Sequence, residues 1–374
     1  MSSSNDKSNM VEDTLKQEGV TVPVMLEYVW IGGDNEFRSK MRTIYLNNYS
    51  DKVELVSTLE SKLDDLTWNY DGSSTNQANG ADSEVILKPV KVYNAYGLPG
   101  VKQVSCASFV LCQTVRSDGT PLENNHRVEA VKVFDKYKDL EPWFGLEQEY
   151  FIKKDGKIVN SDQREELEGK NYCGAGASHK LGRTIADNHY SACLKLGIKI
   201  SGYNAEVAEG QWEFQIGPAE GIRAGDDLMM ARYMLIRTAE LHDCDVTFDP
   251  KPINMSNGSG CHTNFSTVKT RTLVGQYLVE IKNLEKNYKA LSDVINTTEN
   301  KERLTGTHET ASYDSFSYGV ADRTATIRIP RQTDKDGFGY FELRTPPSDC
   351  DPYQVTSLLT DCCCNYNLVS ISYN

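Results

Sequence analysis

The chain is poor in histidine, has no excess of positive charge and contains no long apolar run. Each absence removes a class of function. Six histidines in 374 residues are too few for a metal site built mainly from imidazole, so a bound metal would lean on carboxylates. The formal net charge is −13. Nucleic acids and anionic membranes are bound through basic patches that release counterions, so neither is expected as a partner. No apolar run approaches the roughly 20 residues that a membrane helix needs. The opening MSSSNDKSNM is polar and lacks both the apolar core of a signal peptide and the Arg-rich pattern of a transit peptide. No GxxxxGKS or GxxxxGKT loop occurs, which excludes a P-loop enzyme. Ten cysteines fall at irregular spacings without a CxxC pair. Cys362, Cys363 and Cys364 cannot pair among themselves without severe strain. Reduced thiols and a cytoplasmic location follow as expectations.

What is present is an ordinary globular composition, 39% hydrophobic and 25% charged, long enough for two domains. Residues 1 to about 20 read as a Ser-, Asn- and Asp-rich tail. VMLEYVWI and FRSKMRTIYL, joined through Gly32-Gly33, read as a β-hairpin. A polar loop from Asp71 to Asp82 follows Trp68 and Tyr70, aromatics suited to a loop that folds over something. A short strand, Glu84 to Leu87, and a further strand in QVSCASFVLCQTV complete a mostly-β region. SDGTPLENNHR is a linker composition. Amphipathic helices are expected in HKLGRTIADNHYSACLKLGI, closed by Gly197, and in GDDLMMARYMLIRTAELHD, with Asp226 and Asp227 in its first turn. A third is expected in TLVGQYLVEIKNLEKNYKALSDVI, with Leu273, Leu278, Ile281, Leu284, Tyr288 and Leu291 as the apolar stripe.

The chemistry concentrates in strands. In PWFGLEQEYF, alternation puts Glu147 and Glu149 on one face and Phe144, Leu146, Gln148 and Tyr150 on the other. Alone, such a pair is a solvated strand face, because burying two carboxylates costs several kcal/mol each without a compensating cation. SGYNAEVAEGQWEFQIGP reads as two strands around a turn, with Glu206 on the first and Glu213 on the second. GYFELR puts Tyr340, Glu342 and Arg344 on one face, and RTATIRIPR is a strand carrying Arg323, Arg328 and Arg331. His262 follows Asn257-Gly258-Ser259-Gly260, whose glycines permit close approach to a ligand. Together with His262, the carboxylates Glu147, Glu149, Glu206, Glu213 and Glu342 form an oxygen-dominated set that suits Mg²⁺ or Mn²⁺. Hard cations beside arginines equip a site for phosphoryl transfer. Arg303 and Arg344 could equally hold a carboxylate substrate. The residues alone lead to a metal-dependent phosphoryl-transfer enzyme or ligase.

The stretches WNYDGSST, DSEVILKP, PWFGLEQEY, HYSACLKLGI, NAEV, GQWEFQIGP, FDPKP, NGSGCHTNFST, RLTGTHET, RTATIRIPR, GYFELR and CDPY occur in that order. They resemble glutamine synthetase of the eukaryotic, decameric type. The resemblance implies an α+β fold. It implies a tail over 1–21, an N-terminal β-grasp domain over 22–117 and, over 118–374, a catalytic domain on a curved antiparallel sheet with flanking helices, unrelated to ATP-grasp. It implies ATP-dependent joining of glutamate and ammonia through γ-glutamyl phosphate, in nitrogen assimilation. It also implies two or three Mg²⁺ or Mn²⁺ ions per site, and stacked pentameric rings with active sites shared between neighbouring subunits.

Residue by residue, the resemblance gives one metal to Glu149, Glu206 and Glu213 and the other to Glu147, His262 and Glu342. Asp71 matches the group that takes a proton from ammonium, Glu309 the mobile-loop carboxylate that closes the site, and Arg323 a third catalytic residue. ATP contacts match Trp143, Glu147, Glu213, Asn264, Ser266, Arg271, Arg323, Arg328 and Tyr340. Glutamate contacts match Asn257, Gly258, Arg303, Glu309, Arg323 and Arg344. The chain departs from the family at Asn254-Met255-Ser256, one residue shorter than a Pro-Gly-Asn-Trp-type run and without Trp. It departs again at Ala208-Glu209, where Met-Pro is usual, and at Leu343 and Thr345, where Asp and a second Arg are usual. No metal ligand is lost. Two rivals remain: a non-catalytic relative that keeps the fold, and a ligase that joins glutamate to a larger amine.

Overall fold

The structure is a computed structural model that describes residues 21–47, 52–95, 107–159, 171–253, 257–306 and 310–365. The N-terminal tail, the run Asn254-Met255-Ser256 and Glu309 lie outside the described residues. The chain divides into two compact units. One runs to Asn125 and also takes in Lys195–Gly197; the other holds the rest from His126.

In the first unit the hairpin strands β1 (Thr21–Ile31) and β2 (Phe37–Asn47) pair antiparallel across the Gly32-Gly33 turn. Helix α1 (Lys52–Glu60), then β3 (Trp68–Asp71), β4 (Glu84–Asn94) and β5 (Ala107–Arg116), complete a sheet of order β2-β1-β5-β4-β3. β1 and β5 are parallel. The alternate residues Val24, Leu26 and Tyr28 face the core with Leu87 and Val110. β4 does not stop at Leu87 but continues through a bulge to Asn94. Trp68 and Tyr70 pack within this unit. Tyr70 packs on Trp30 with ring centroids 4.8 Å apart and Trp68 on Tyr28 at 5.2 Å. They anchor the turn that presents Asp71.

The second unit is ordered as α2 (Arg127–Lys136), β6 (Trp143–Lys154), β7 (Lys157–Ile158), α3 (Lys180–Lys195), β8 (Ile200–Ala205), β9 (Gln211–Glu220), α4 (Ile222–Glu240), β10 (Asp245–Thr247) and β11 (Cys261–Ser266). It continues with α5 (Val268–Thr272), α6 (Gln276–Ile295), α7 (Thr298–Arg303), β12 (Tyr318–Val320), β13 (Ile327–Ile329), α8 (Arg331–Asp336), β14 (Phe341–Leu343) and α9 (Pro352–Cys364). The sheet runs β12-β13-β14-β11-β6-β9-β8, with β7 and β10 also on β6. Its pairings are antiparallel except β12 with β13. The fold class is therefore α+β on a largely antiparallel sheet, as the sequence leads one to expect. Among the described residues no helix is long and apolar enough to cross a membrane.

One face of this sheet is sealed by aromatics in register. Phe144 lies opposite Phe265, and Phe265 opposite Phe341. Their ring centroids are 5.3 Å and 5.6 Å apart, and all three rings are fully buried. Such cross-strand pairs fix register, and a one-residue slip would turn the ladder to the other face.

Several local expectations shift. α4 begins at Ile222, after Gly221 with its positive φ of 53°, so Asp226 and Asp227 sit in the second turn rather than the first. Both are buried. Dipole compensation is therefore not their role. Asp226 accepts two hydrogen bonds from Arg127, at 2.8 and 2.9 Å, and one from the Tyr353 hydroxyl at 2.8 Å. Leu273 precedes α6 and is exposed; the buried stripe is Tyr277, Ile281, Leu284, Leu291 and Ile295. RTATIRIPR contains a strand of only three residues, because Pro330 ends it and Arg331 opens α8. Cys362, Cys363 and Cys364 close α9, buried and outside any disulfide. Asn283 and Asn287 on α6 donate to the carbonyls of Cys363 and Cys362 at 3.1 and 3.3 Å.

Replacing Asp226 with Ala leaves the largely buried Arg127 guanidinium without its carboxylate. The expected cost is about 3–5 kcal/mol, read as a lower melting temperature of the full chain; an unchanged melting temperature would contradict this account of the pair.

Candidate active site

The face of the sheet opposite the aromatic ladder is acidic, and strand register assembles it. On β6, Glu147 lies opposite His262 of β11 and Glu149 opposite Glu213 of β9. Glu342 on β14 lies opposite Asn264 of β11 and Arg328 of β13. Glu206 is not on β8 but follows its last residue, Ala205, and the β8–β9 turn returns the chain to Glu213. β9 bulges opposite the Phe144–Leu146 step of β6, at Gly217, whose φ is +113°. A Cβ at Gly217 would meet the Phe144 carbonyl at 2.3 Å, so only glycine fits there.

Two groups of ligand-type atoms result, each within 4.8 Å: Glu149, Glu206 and Glu213, and Glu147, Glu213 and His262. Glu213 belongs to both. The first is the trio the resemblance implies. In the second, Glu213 stands where Glu342 was expected. Glu342 Oε1 is 3.7 Å from His262 Nδ1, and Glu147 Oε2 is 3.6 Å from it. Both Glu342 oxygens are held by guanidiniums: Arg344 Nη1 donates at 2.5 Å and Arg328 Nη1 at 2.8 Å. Glu342 is thus in ion pairs with Arg344 and Arg328 while lying beside His262.

Neutral donors orient the remaining carboxylates. The Gly260 amide donates to Glu149 Oε2 at 2.6 Å and Gln211 Nε2 at 3.3 Å. Asn204 Nδ2 and the Val207 amide hold Glu206 at 2.9 and 3.1 Å. Gln215 Nε2 donates to Glu213, and Asn264 Nδ2 donates to Glu147 at 2.8 Å. Of these side chains, only Asn264 was expected at the site. Gln211 and Gln215 carried a signal nonetheless: they share the Glu213 face of a strand otherwise made of Trp212, Phe214 and Ile216.

Such crowding shifts proton affinities. Burial, reinforced by the Glu206 charge, pushes the Glu149 carboxyl up to about 8. Burial also raises Glu206, and it raises Glu213 well above the carboxylate range with help from Glu147 and Glu149. Burial, with the nearby Arg344 charge, drives His262 well below its usual value. The imidazole is thus neutral, the form that ligates metal. The donor set fits hard divalent cations: clustered carboxylate oxygens, one neutral imidazole and amides that fix each carboxylate from outside.

The acidic face separates two openings. The first, a cavity of about 440 Å³, is lined by Trp143, Glu147, Asn264, Ser266, Arg271 and Tyr340, among others. Arg271 stacks 4.1 Å above the Trp143 ring and donates to Ser266 Oγ at 3.0 Å. Arg328 Nε is buried and finds no hydrogen-bond partner among the described residues. The second is a narrow cleft of about 30 Å³ lined by Glu149, Asn257, Gly258, Arg303, Arg323 and Arg344, among others. Arg303 is buried and pushed down to about 10 by that burial. A Cβ at Gly258 would come within 2.4 Å of its side chain. Arg323 is exposed, yet its charge reaches Glu206. In the N-terminal unit, Asp71 is exposed and accepts from the Ser73 amide and hydroxyl at 3.0 and 2.7 Å and from the Ser74 hydroxyl at 3.1 Å. The serine hydrogen bonds, chiefly from Ser73, hold its carboxyl below the usual range.

A family model described as glutamine synthetase, catalytic domain, matches residues 125–362. The chain is 44% identical over 357 residues to a putative glutamine synthetase of Acanthamoeba polyphaga mimivirus, a match covering 94% of this chain and 97% of that relative. It is 46% identical over 347 residues to glutamine synthetase of Candida glabrata and 44% identical over 347 residues to that of Saccharomyces cerevisiae. Each of these matches covers 91% of this chain and 89% of the relative.

Because the raised carboxyls hold protons that a cation must displace, metal affinity should rise with pH between 6 and 8, with proton release on binding. Calorimetric Mn²⁺ titrations of the metal-free chain in buffers of different ionisation enthalpy check this. Equal affinity and no proton release across that range would contradict it.

Proposed function

This chain belongs to the glutamine synthetase family, and from that premise we propose that it converts ATP, L-glutamate and ammonia to ADP, phosphate and L-glutamine. The observation that carries the reading is the pair of openings meeting at β6. Glu147 lines the roomy one with Trp143, Arg271 and Tyr340. Glu149 lines the narrow one with Arg303, Arg323 and Arg344. The first suits a nucleotide, with a stacking aromatic and cationic groups. The second suits a small dicarboxylate held by guanidiniums. Their shared wall is where a γ-phosphate and a γ-carboxylate would meet.

In this reading Glu149, Glu206 and Glu213 hold one divalent ion, and Glu147 and His262 hold another with Glu342 and Glu213 in reach. Bound there, Mg²⁺ or Mn²⁺ supplies charge neutralisation to the phosphate oxygens. Trp143, Glu147, Glu213, Asn264, Ser266, Arg271, Arg323, Arg328 and Tyr340 contact ATP. Asn257, Gly258, Arg303, Arg323 and Arg344 orient glutamate so that its γ-carboxylate oxygen attacks the γ-phosphorus and ADP leaves. Arg323 and Arg344 steady the charge that develops on the transferred group. Ammonia then attacks the γ-carbon of the acyl phosphate and phosphate departs. Asp71, ionised and pinned by two serines, takes the proton that makes ammonium a nucleophile. Glu309 closes the site against water, which would otherwise hydrolyse the acyl phosphate. Asp71 acts on the site of a neighbouring subunit, in a cytoplasmic decamer of two pentameric rings.

With ATP and Mg²⁺, glutamate plus ammonium should drive phosphate release, and polyamines or aromatic amines should not replace ammonium. Absence of turnover with ammonium would contradict the reading. Glu147→Gln should lower turnover by at least about 100-fold while the oligomer keeps its size in sedimentation. Near-normal turnover would remove Glu147 from the site.

A further inference from the structure

The reverse face of β6 holds a buried guanidinium. Arg232, on α4, is only 5% exposed. Its Nε donates to Gln148 Oε1 at 2.7 Å, Nη1 to the Cys350 carbonyl at 2.8 Å and Nη2 to the Ser348 carbonyl at 2.9 Å. The group lies 5.3 Å from the Phe248 ring centroid. Its hydrogen-bond acceptors are neutral, although Asp349 is near enough for the two charges to act on each other. A charge buried among neutral acceptors is costly, and apolar side chains would serve folding at least as well.

The contacts of its partners point elsewhere. Gln148 sits between Glu147 and Glu149 with its side chain on the opposite face. Its Nε2 donates to the Glu149 carbonyl at 2.8 Å and to the Ser348 carbonyl at 2.9 Å. The segment from Pro346 to Cys350 in turn frames the residues that lead into β11. Cys261 N donates to the Pro346 carbonyl at 3.0 Å and Ser348 N to the Ser259 carbonyl at 3.2 Å, and Gly260 bridges Pro347. Gly260 exchanges two hydrogen bonds with Glu149: its amide to Oε2 at 2.6 Å, and its carbonyl from the Glu149 amide at 3.0 Å. Arg303 donates from the substrate side to the start of this segment, at the Pro346 carbonyl, and to the Thr345 carbonyl just before it.

We propose that Arg232 is a positioning residue for the metal-binding face. Its planar fork ties the back of β6 to the 346–350 segment and so fixes Glu149 against Gly260. The inference rests on the metal-ligand reading above. It requires the geometry of the fork as well as the positive charge, which lysine keeps without the fork.

The test is a Mn²⁺ titration of the full-length chain without nucleotide, followed by the electron paramagnetic resonance of free Mn²⁺. Wild type, Arg232→Lys and Gln148→Met are compared, with circular dichroism and melting confirming the fold. Wild type should bind, and both variants should bind about 10–100-fold more weakly, the usual loss when a group that orients a ligand is removed. A folded variant that binds Mn²⁺ as wild type does overturns the proposal and leaves Arg232 a structural residue. A wild type that binds none refutes the metal-ligand reading instead. Gln148→Met leaves Arg232 its two carbonyl partners, and it decides the matter if Arg232→Lys does not fold.

Discussion

Mutual repulsion among buried carboxylates is the constraint on which this structure depends. Glu149, Glu206, Glu213 and Glu342 are all buried on one sheet face, with Glu147 beside them. Their charges cannot be screened by water there, and the folded chain answers in several ways at once. Protons stay on some of the carboxyls near neutrality. Amides of Gln211, Asn204, Gln215 and Asn264 hold the oxygens in place. Arg328 and Arg344 neutralise Glu342. A divalent cation would complete the balance and displace the protons. Burial without such a cation is unfavourable, so the site is destabilised in a way that binding relieves.

A face under that strain needs a rigid base. The ladder of Phe144, Phe265 and Phe341 supplies it, since its register fixes where every residue on the opposite side falls. α4, buried over most of its length, backs the sheet and is tied to α2 and α9 through Asp226. Arg232 extends the same helix to the back of β6. Precision at the site thus comes from packing and hydrogen bonds on the side that touches no substrate.

Much of this was legible in the sequence because strands alternate. The spacing of Glu147 and Glu149, and the face shared by Tyr340, Glu342 and Arg344, follow from period-two geometry. The long helices were legible from their apolar stripes and from Gly197 at the end of α3. What local pattern does not encode is which strands pair and in what register. That is why Glu213 was not foreseen as a residue common to both groups: its position depends on β9 meeting β6, strands far apart in the chain. Nothing in the local pattern of α4 singles out Arg232, whose tie to Gln148 depends on tertiary packing. Asp226 and Asp227 were misplaced for a related reason, since Gly221 lets α4 start before the first acidic residue.

The central claim is that the two glutamates of β6 serve different cations, one on each side of Glu213. Anomalous diffraction from crystals grown with Mn²⁺ tests it most directly. Two separate peaks are expected, one among Glu149, Glu206 and Glu213, the other between Glu147 and His262. A single peak bridging Glu147 and Glu149, or none on this face, would contradict it.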